Sequence, residues 1–379
     1  MRPNESCSAS NYESQSNYPS LADTLTRKLY TIRVNRKSKL LIFNFKMDMQ
    51  DPLLSHQYQV VKALARNFDE VTVITGNVGE IDFSSNIHIV STFWKPGSPL
   101  KNLFSLISTS VPIIVRGDYR SAFFHMTDVQ CAILSPIIRM RRKKVFLWYA
   151  HTFKSKYLSL ANWWVSSVVT STQGSCPIQG RKVVAIGQGI DLEMFRPLQF
   201  GKRSLQRLIH IGRFDTSKNI QLLIDTAFEL RFLFPDIHLT LVGSPSNAEA
   251  RHWASLVISS SSEHIENGWL QFKDAIPRSD FPSNIAAEGC FFHAYTGSLD
   301  KSLVEATLLR VPVLTINREY LSIFGSWSGK LNTDLAQEYK SMRVMSPERL
   351  ENELNRRLHI AREGHSLTGW IQHLSQILQ

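Results

Sequence analysis

What this chain lacks narrows its chemistry first. Nowhere does it approach the run of about 18 to 20 apolar residues that a membrane-spanning helix needs, and its first residues are polar rather than a charged-then-apolar signal. The expectation is a cytoplasmic protein, one that could also work at the inner face of a membrane. Cysteine is scarce: Cys7, Cys131, Cys176 and Cys290 stand far apart, with no Cys-x-x-Cys pair and no Cys/His spacing that would hold zinc. They read as reduced and structural. The first strand-like segment, KLLIFNFKMDMQ, contains no glycine, so the G-x-G-x-x-G turn of a Rossmann dehydrogenase is missing, and so is a P-loop. Acid is in short supply as well, with 43 Lys and Arg against 32 Asp and Glu and a formal net charge of +11. Such a surface attracts anions of any kind: nucleic acid, anionic lipid or phosphorylated small molecules.

What is present points to two α/β domains. A chain of 379 residues is long enough for two cores, because single cores stop growing at roughly 250 to 300 residues. Residues 1–36 are rich in Ser, Asn and Tyr without apolar periodicity, and read as a disordered polar leader. From Lys39 onward, apolar runs such as KLLIFNFKM, EVTVITG, SAFFH and KKVFLWYAH alternate with helical patterns such as HQYQVVKALARNF. QFGKRSLQ breaks the pattern, and a second alternating series follows, from RLIHIG through HLTLVGS and CFFHAY to VPVLTI. This predicts an N-terminal Rossmann-like domain over 37–198, a linker at 199–206, a C-terminal Rossmann-like domain over 207–345 and amphipathic helices over 346–379. The two doubly wound parallel sheets should face each other across a cleft.

Two segments of the second series carry chemistry. Ile211-Gly212-Arg213-Phe214-Asp215-Thr216-Ser217-Lys218 joins a strand to a helix, where open α/β sheets bind ligands and helix N-termini offer free N–H groups to anions. Gly212 allows a tight turn, and Arg213 and Lys218 bring two cations suited to a diphosphate. Tyr295-Thr296-Gly297-Ser298-Leu299-Asp300-Lys301 leads into the next such helix. There Gly297, Ser298 and Leu299 can present backbone N–H groups, and Asp300 and Lys301 either touch a bound sugar or serve as cap and surface charge. Glu305 lies about one turn into that helix, where a carboxylate can accept hydrogen bonds from both hydroxyls of a ribose.

Taken together, these residues resemble the GT-B glycosyltransferases of group 1, family GT4. Their C-terminal domain has a G-R-x4-K turn followed later by an E-x7-E segment. The resemblance is strongest from Leu208 to Gly325, includes the Pro312-Val313 that opens the next strand, and extends over residues 39–375. It implies that Arg213 and Lys218 bind the donor diphosphate, that Glu305 binds the ribose, and that the anomeric configuration is retained without a metal or other cofactor. One position departs from the pattern: the first Glu of E-x7-E falls on Gly297, which leaves the sugar end without its usual carboxylate. The family also has a His at the strand end matching His125, close to the reacting sugar. His151 ends a neighbouring strand and is a weaker candidate, as are Ser55, His56 and Gln57, where the family's often Gly-rich loop approaches donor and acceptor. Ser55 reads equally well as a helix cap, and GQGID resembles the family's hinge-proximal N-G-[VI]-D.

The expected partners are therefore a nucleotide-sugar donor and a glycan or lipid-linked acceptor. RMRRKK at 139–144 lacks the interleaved aromatics of a single-strand nucleic-acid binder, so nucleic acid is not expected and peripheral contact with anionic lipid is. Two other readings use the same residues: a nucleotide- or glycan-binding protein without turnover, and a nucleotide-sugar epimerase.

Overall fold

A computed structural model describes residues 38–51, 54–82, 85–197 and 204–379; the polar leader, Cys7 and most of the linker read from the sequence lie outside them. Leu40–Met47 (β1) is apolar on both sides of its pleat, and only Phe45 and Lys46 are not buried. A strand buried on both faces needs helices above and below it, the setting of parallel sheets. Val71–Val78 (β2), Ile87–Ser91 (β3), Ser121–His125 (β4), Lys144–Trp148 (β5), Ser167–Thr170 (β6) and Val183–Ala185 (β7) complete a sheet of order β3-β2-β1-β4-β5-β6-β7. Every pairing is parallel.

Alternation along β1 decides which helices cover which face. Leu40 and Ile42 pack with Tyr58, Val61 and Leu64 of Ser55–Leu64 (α1). Leu41 and Phe43 point the other way, into a core shared with Pro99–Arg116 (α2), Asp128–Met140 (α3) and Lys156–Trp164 (α4) through Leu106, Ile138 and Leu158.

The second sheet has the order β10-β9-β8-β11-β12, again wholly parallel. Its strands are Arg207–Ile211 (β8), His238–Val242 (β9), Leu270–Lys273 (β10), Cys290–His293 (β11) and Val313–Thr315 (β12). Ile220–Arg231 (α5), Ala248–Ser260 (α6), Ser262–Glu266 (α7), Phe281–Ala286 (α8), Lys301–Leu308 (α9), Arg318–Phe324 (α10), Leu335–Arg343 (α11) and Pro347–His365 (α12) follow in order. Leu223 of α5, Ala254 of α6 and Tyr339 of α11 share one core, whereas Ile285 of α8, Leu303 of α9, Tyr320 of α10 and Ala361 of α12 share the other.

The tail does not stay with the second domain. Ser366 accepts a hydrogen bond from Gly369 N and starts Leu367–Leu378 (α13), which returns to the first sheet. There Trp370, Ile371 and Leu374 join the α1 core, the Trp370 ring lies 5.0 Å from that of Trp148, and Ser121 Oγ donates to Leu378 O at 2.7 Å. The two sheets are thus joined twice, once by the chain before β8 and once through α13. In both sheets the strand order reverses direction beside the first strand, between β1 and β4 and between β8 and β11, which opens a crevice at the carboxyl ends.

Cys131, Cys176 and Cys290 are buried, and burial pushes the Cys131 thiol up to about 12, as suits packing rather than reactivity. No helix among the described residues is long and apolar enough to cross a membrane.

Candidate functional site

A cavity of about 620 Å³ opens where the carboxyl ends of the two sheets meet. That size falls within the range of small-molecule sites. The first domain contributes His56 from α1, His125 and Met126 at the end of β4, and Trp148, Ala150, His151 and Thr152 around the end of β5. The second contributes Arg213, Ser217 and Lys218 after β8 and the whole turn from Tyr295 to Lys301 after β11. Gln188, Gly189 and Trp370 close the side between them.

The phosphate-type turn is built on a buried ionic centre. Lys218 is only 9% exposed, forms an ion pair with Asp300, and lies 4.1 Å over the Tyr295 ring. His293 Nε2 approaches the same Asp300 oxygen at 3.2 Å, while the other oxygen accepts from Ser302 N and so caps α9. Burial works against the Asp300 charge, but Lys218 and His293 together hold its carboxyl well below the usual carboxylate range. Arg213 is exposed at the rim, with Nη1 3.0 Å from Asp215. Asp215 is in turn fixed by Ser246 N and Oγ at 3.1 and 2.7 Å. His151 lines the same cavity as Arg213 and Lys218, and its imidazole is lowered first by burial and then by these two cations.

Space as well as the turn favours glycine at position 212. A Cβ there would lie 2.9 Å from His210 Nε2, and the left-handed residue of this segment is Asn219, at φ 50°. The chain bends at Gly212, as the sequence predicts, although Gly212 itself does not line the cavity.

At the sugar end, a Cβ on Gly297 would meet the Tyr295 hydroxyl at 2.1 Å and its ring carbons at 2.3 and 2.7 Å. Tyr295 therefore occupies the space that the carboxylate side chain of the resembled family would need. Among the described residues Asp300 is the one acid on the cavity wall, and Lys218 already takes its charge. Asp300 is therefore the cap of α9 that the sequence allowed, and a half-buried counter-charge to Lys218 as well. Lys301 has no hydrogen-bond or ion-pair partner among the described residues. Burial, aided by Arg278, pulls its ammonium well below the usual lysine range. Ser298 and Leu299 line the cavity, and Leu299 is held across the domains by Ser175 Oγ, which accepts from its N–H, and Gln188 Nε2, which donates to its carbonyl. Gln188 is thus a cross-domain strut.

Three sequence expectations fare differently. Glu305 is 1% exposed, ion-paired with Arg278 and absent from the cavity wall, so the ribose carboxylate read from the sequence is already engaged here. Ser55 does not cap α1; the N–H of Leu54 is taken by Asp51 Oδ1 at 2.7 Å and that of Ser55 by the Asp51 carbonyl at 3.2 Å. Gln57 points inward and accepts from Phe45 N and Lys46 N at 3.1 and 3.3 Å, which shapes the loop but leaves the cavity to His56.

His125 does reach the cavity, with its ring 5.7 Å from that of His56 and 6.3 Å from that of Trp148. Burial, and then Lys301, push its imidazole down to about 3, so it stays neutral near pH 7 and offers one N–H donor and one acceptor. Sequence reading missed Tyr295, Met126, Trp148 and Trp370 as wall residues. A left-handed Met126, at φ 59° immediately after His125, is a signal that only the backbone reveals.

This arrangement has the GT-B fold: two parallel Rossmann-like sheets with a cleft between their carboxyl ends. Among solved structures, the Anabaena protein Alr3699/HepE in complex with UDP and glucose is similar, with TM-score 0.66, 15% identity, and coverage of 90% of this chain and 99% of that one. A glycosyltransferase from Rickettsia africae gives TM-score 0.68 at 11% identity over 91% and 98% of the two chains. The sucrose-phosphate synthase of Thermosynechococcus elongatus gives 0.69 at 12% over 90% and 98%. No family model and no curated protein matches the sequence.

Proposed function

We propose that this protein transfers a hexose-type sugar from a nucleotide-diphosphate donor to a glycan or lipid-linked acceptor, with retention and without a metal. The observation that carries the reading is the meeting of Arg213, Lys218 and the N-terminus of α9 on one wall of the cavity, opposite His125 and His151 on the other. Two cations and a helix N-terminus are suited to charge that builds on a departing diphosphate. Backbone N–H groups of Gly297 and Ser298 add fixed dipoles at the same end, whereas that of Leu299 is taken by Ser175 Oγ. Neutral His125 suits a hydrogen bond to a sugar or acceptor hydroxyl. The Anabaena structure is a complex with UDP and glucose, compounds of the same chemical class. Retention rests on the family resemblance. Glu305 can take a ribose only if Arg278 swings aside.

One observation favours a second reading: with Gly297 and Tyr295 at the sugar end, the cavity has no uncommitted carboxylate, which fits a protein that holds a nucleotide without turnover. A panel of UDP-, GDP- and ADP-sugars, with and without glycan acceptors and EDTA, separates the two. Transfer that survives EDTA and is lost with Arg213→Ala supports the enzyme. Nucleotide binding abolished by Arg213→Ala, with no donor ever consumed, supports the binder. Product formed with no acceptor present points to an epimerase.

A further inference from the structure

Between Ser91 and Ile190 the chain has 13 Lys and Arg and only two acids, Asp118 and Asp128. That excess equals the +11 of the whole protein, so the remaining residues carry 30 charges of each sign. The cationic segment folds into the α2, α3 and α4 side of the first sheet.

The same side exposes apolar ridges. The core stripe of α2 runs through Leu106, Ser110 and Ile114, which turns Leu100, Leu103, Phe104 and Ile107 outward, with Leu100 80% and Phe104 75% exposed. The core stripe of α4 is Leu158 and Ala161, which turns out Tyr157, Leu160 and Trp163, the last 81% exposed. Between them, α3 ends in Met140, 82% exposed, followed by exposed Arg141 and Arg142. Neither α2 nor α4 contains an acid, and Asp128 is engaged by Ser155. Soluble proteins rarely leave such apolar groups uncovered. Protein interfaces are depleted in Lys, whereas Trp, Phe and Leu interleaved with Lys and Arg are the mark of helices that lie in an anionic bilayer surface.

From these observations we infer that the outer face of α2, α3 and α4 docks on an anionic phospholipid bilayer, with Phe104, Leu100, Leu160 and Trp163 inserted among the headgroups. Helices that follow parallel strands run back along the sheet, so α2 and α4 both start at its carboxyl end, the end at which the cavity opens. Exposed Phe153 and Lys154 directly follow the cavity residues His151 and Thr152. A docked protein thus presents its cleft to the headgroup layer, where a lipid-linked acceptor would stand. That last step rests on the proposed transfer reaction; the docking does not.

Cosedimentation of the full chain with vesicles tests it without any donor or acceptor, so failure here leaves the transfer reading intact. The expectation is partition onto phosphatidylcholine vesicles containing phosphatidylglycerol about tenfold above that onto phosphatidylcholine alone, weakened by salt. Phe104→Ser with Trp163→Ser should reduce it about tenfold, and Lys154→Glu with Lys156→Glu should remove its dependence on phosphatidylglycerol, both with unchanged pyrophosphate binding and circular dichroism. The inference is overturned by equal partition onto both vesicle types, by double variants that still partition like the parent, or by a concentration-dependent dimer that Trp163→Ser dissolves, which would assign the face to a second copy of the chain.

Discussion

Asp300→Asn isolates one charge at the centre of the proposed donor site. Asn is as good an N-cap as Asp, so the hydrogen bond from Ser302 N to Oδ1 and the start of α9 are preserved. What disappears is the negative partner of a lysine that is only 9% exposed. Leaving one member of a buried pair uncompensated costs about 3 to 5 kcal/mol, and the opening of Lys218 toward the cavity puts this case near the lower figure. The unliganded variant should therefore lose about 3 kcal/mol of stability. A bound diphosphate restores a counter-charge and no longer faces the repulsion of Asp300, so the variant should bind pyrophosphate more tightly. Each 1.4 kcal/mol recovered in this way lowers Kd about tenfold. Denaturant unfolding with and without pyrophosphate, together with titration calorimetry, measures both terms. Unchanged stability combined with weaker pyrophosphate binding would refute the reasoning and make Asp300 a group that merely orients Lys218.

Other expectations follow from the same geometry. His125 and His210 are held at about 3 and His365 at about 4, in each case first by burial. These imidazoles are neutral in the folded state and bind protons once unfolded, so stability should fall as pH drops below about 6.5, by up to about 1.4 kcal/mol per pH unit for each group. His125→Gln should remove one proton from that slope in pH-dependent unfolding, whereas Asp300, whose folded carboxyl is depressed, contributes stability that is lost only below about pH 4. Gly243→Ala would place a Cβ 1.8 Å from the Gly212 carbonyl and 2.9 Å from the Phe214 ring, and should cost about 1–3 kcal/mol and weaken pyrophosphate binding by displacing Arg213. A variant with normal pyrophosphate affinity would refute the link between that contact and the turn. Glu305→Gln strands Arg278, and should lower stability while changing UDP and pyrophosphate affinities in parallel. A loss confined to UDP would mean that Glu305 does reach the ribose.

These outcomes trace the boundary between what the sequence makes legible and what it does not. The two turns, Gly212 to Lys218 and Tyr295 to Lys301, could be read because they are local: an apolar strand, a few polar residues and a helical pattern place them at strand ends whatever the rest of the chain does. Partners could not be read, because they come from distant positions. Asp300 lies 82 residues from Lys218, and Ser175 lies 124 residues from Leu299. The amphipathic pattern of 367–378 reveals an apolar face but not its destination, and only packing against Trp148 shows that α13 belongs to the first sheet. Gly297 is the sharpest case. Read along the chain it is a missing carboxylate; read in space it is the clearance that lets Tyr295 lie beneath Lys218. The substitution and the aromatic ring are therefore one feature, and returning Glu to position 297 should fail to install a carboxylate in the cavity unless Tyr295 is reduced to Ala at the same time. Pyrophosphate affinity that falls with Gly297→Glu alone and recovers in the double variant is the result this coupling requires; additive losses would show that Tyr295 and Gly297 act separately.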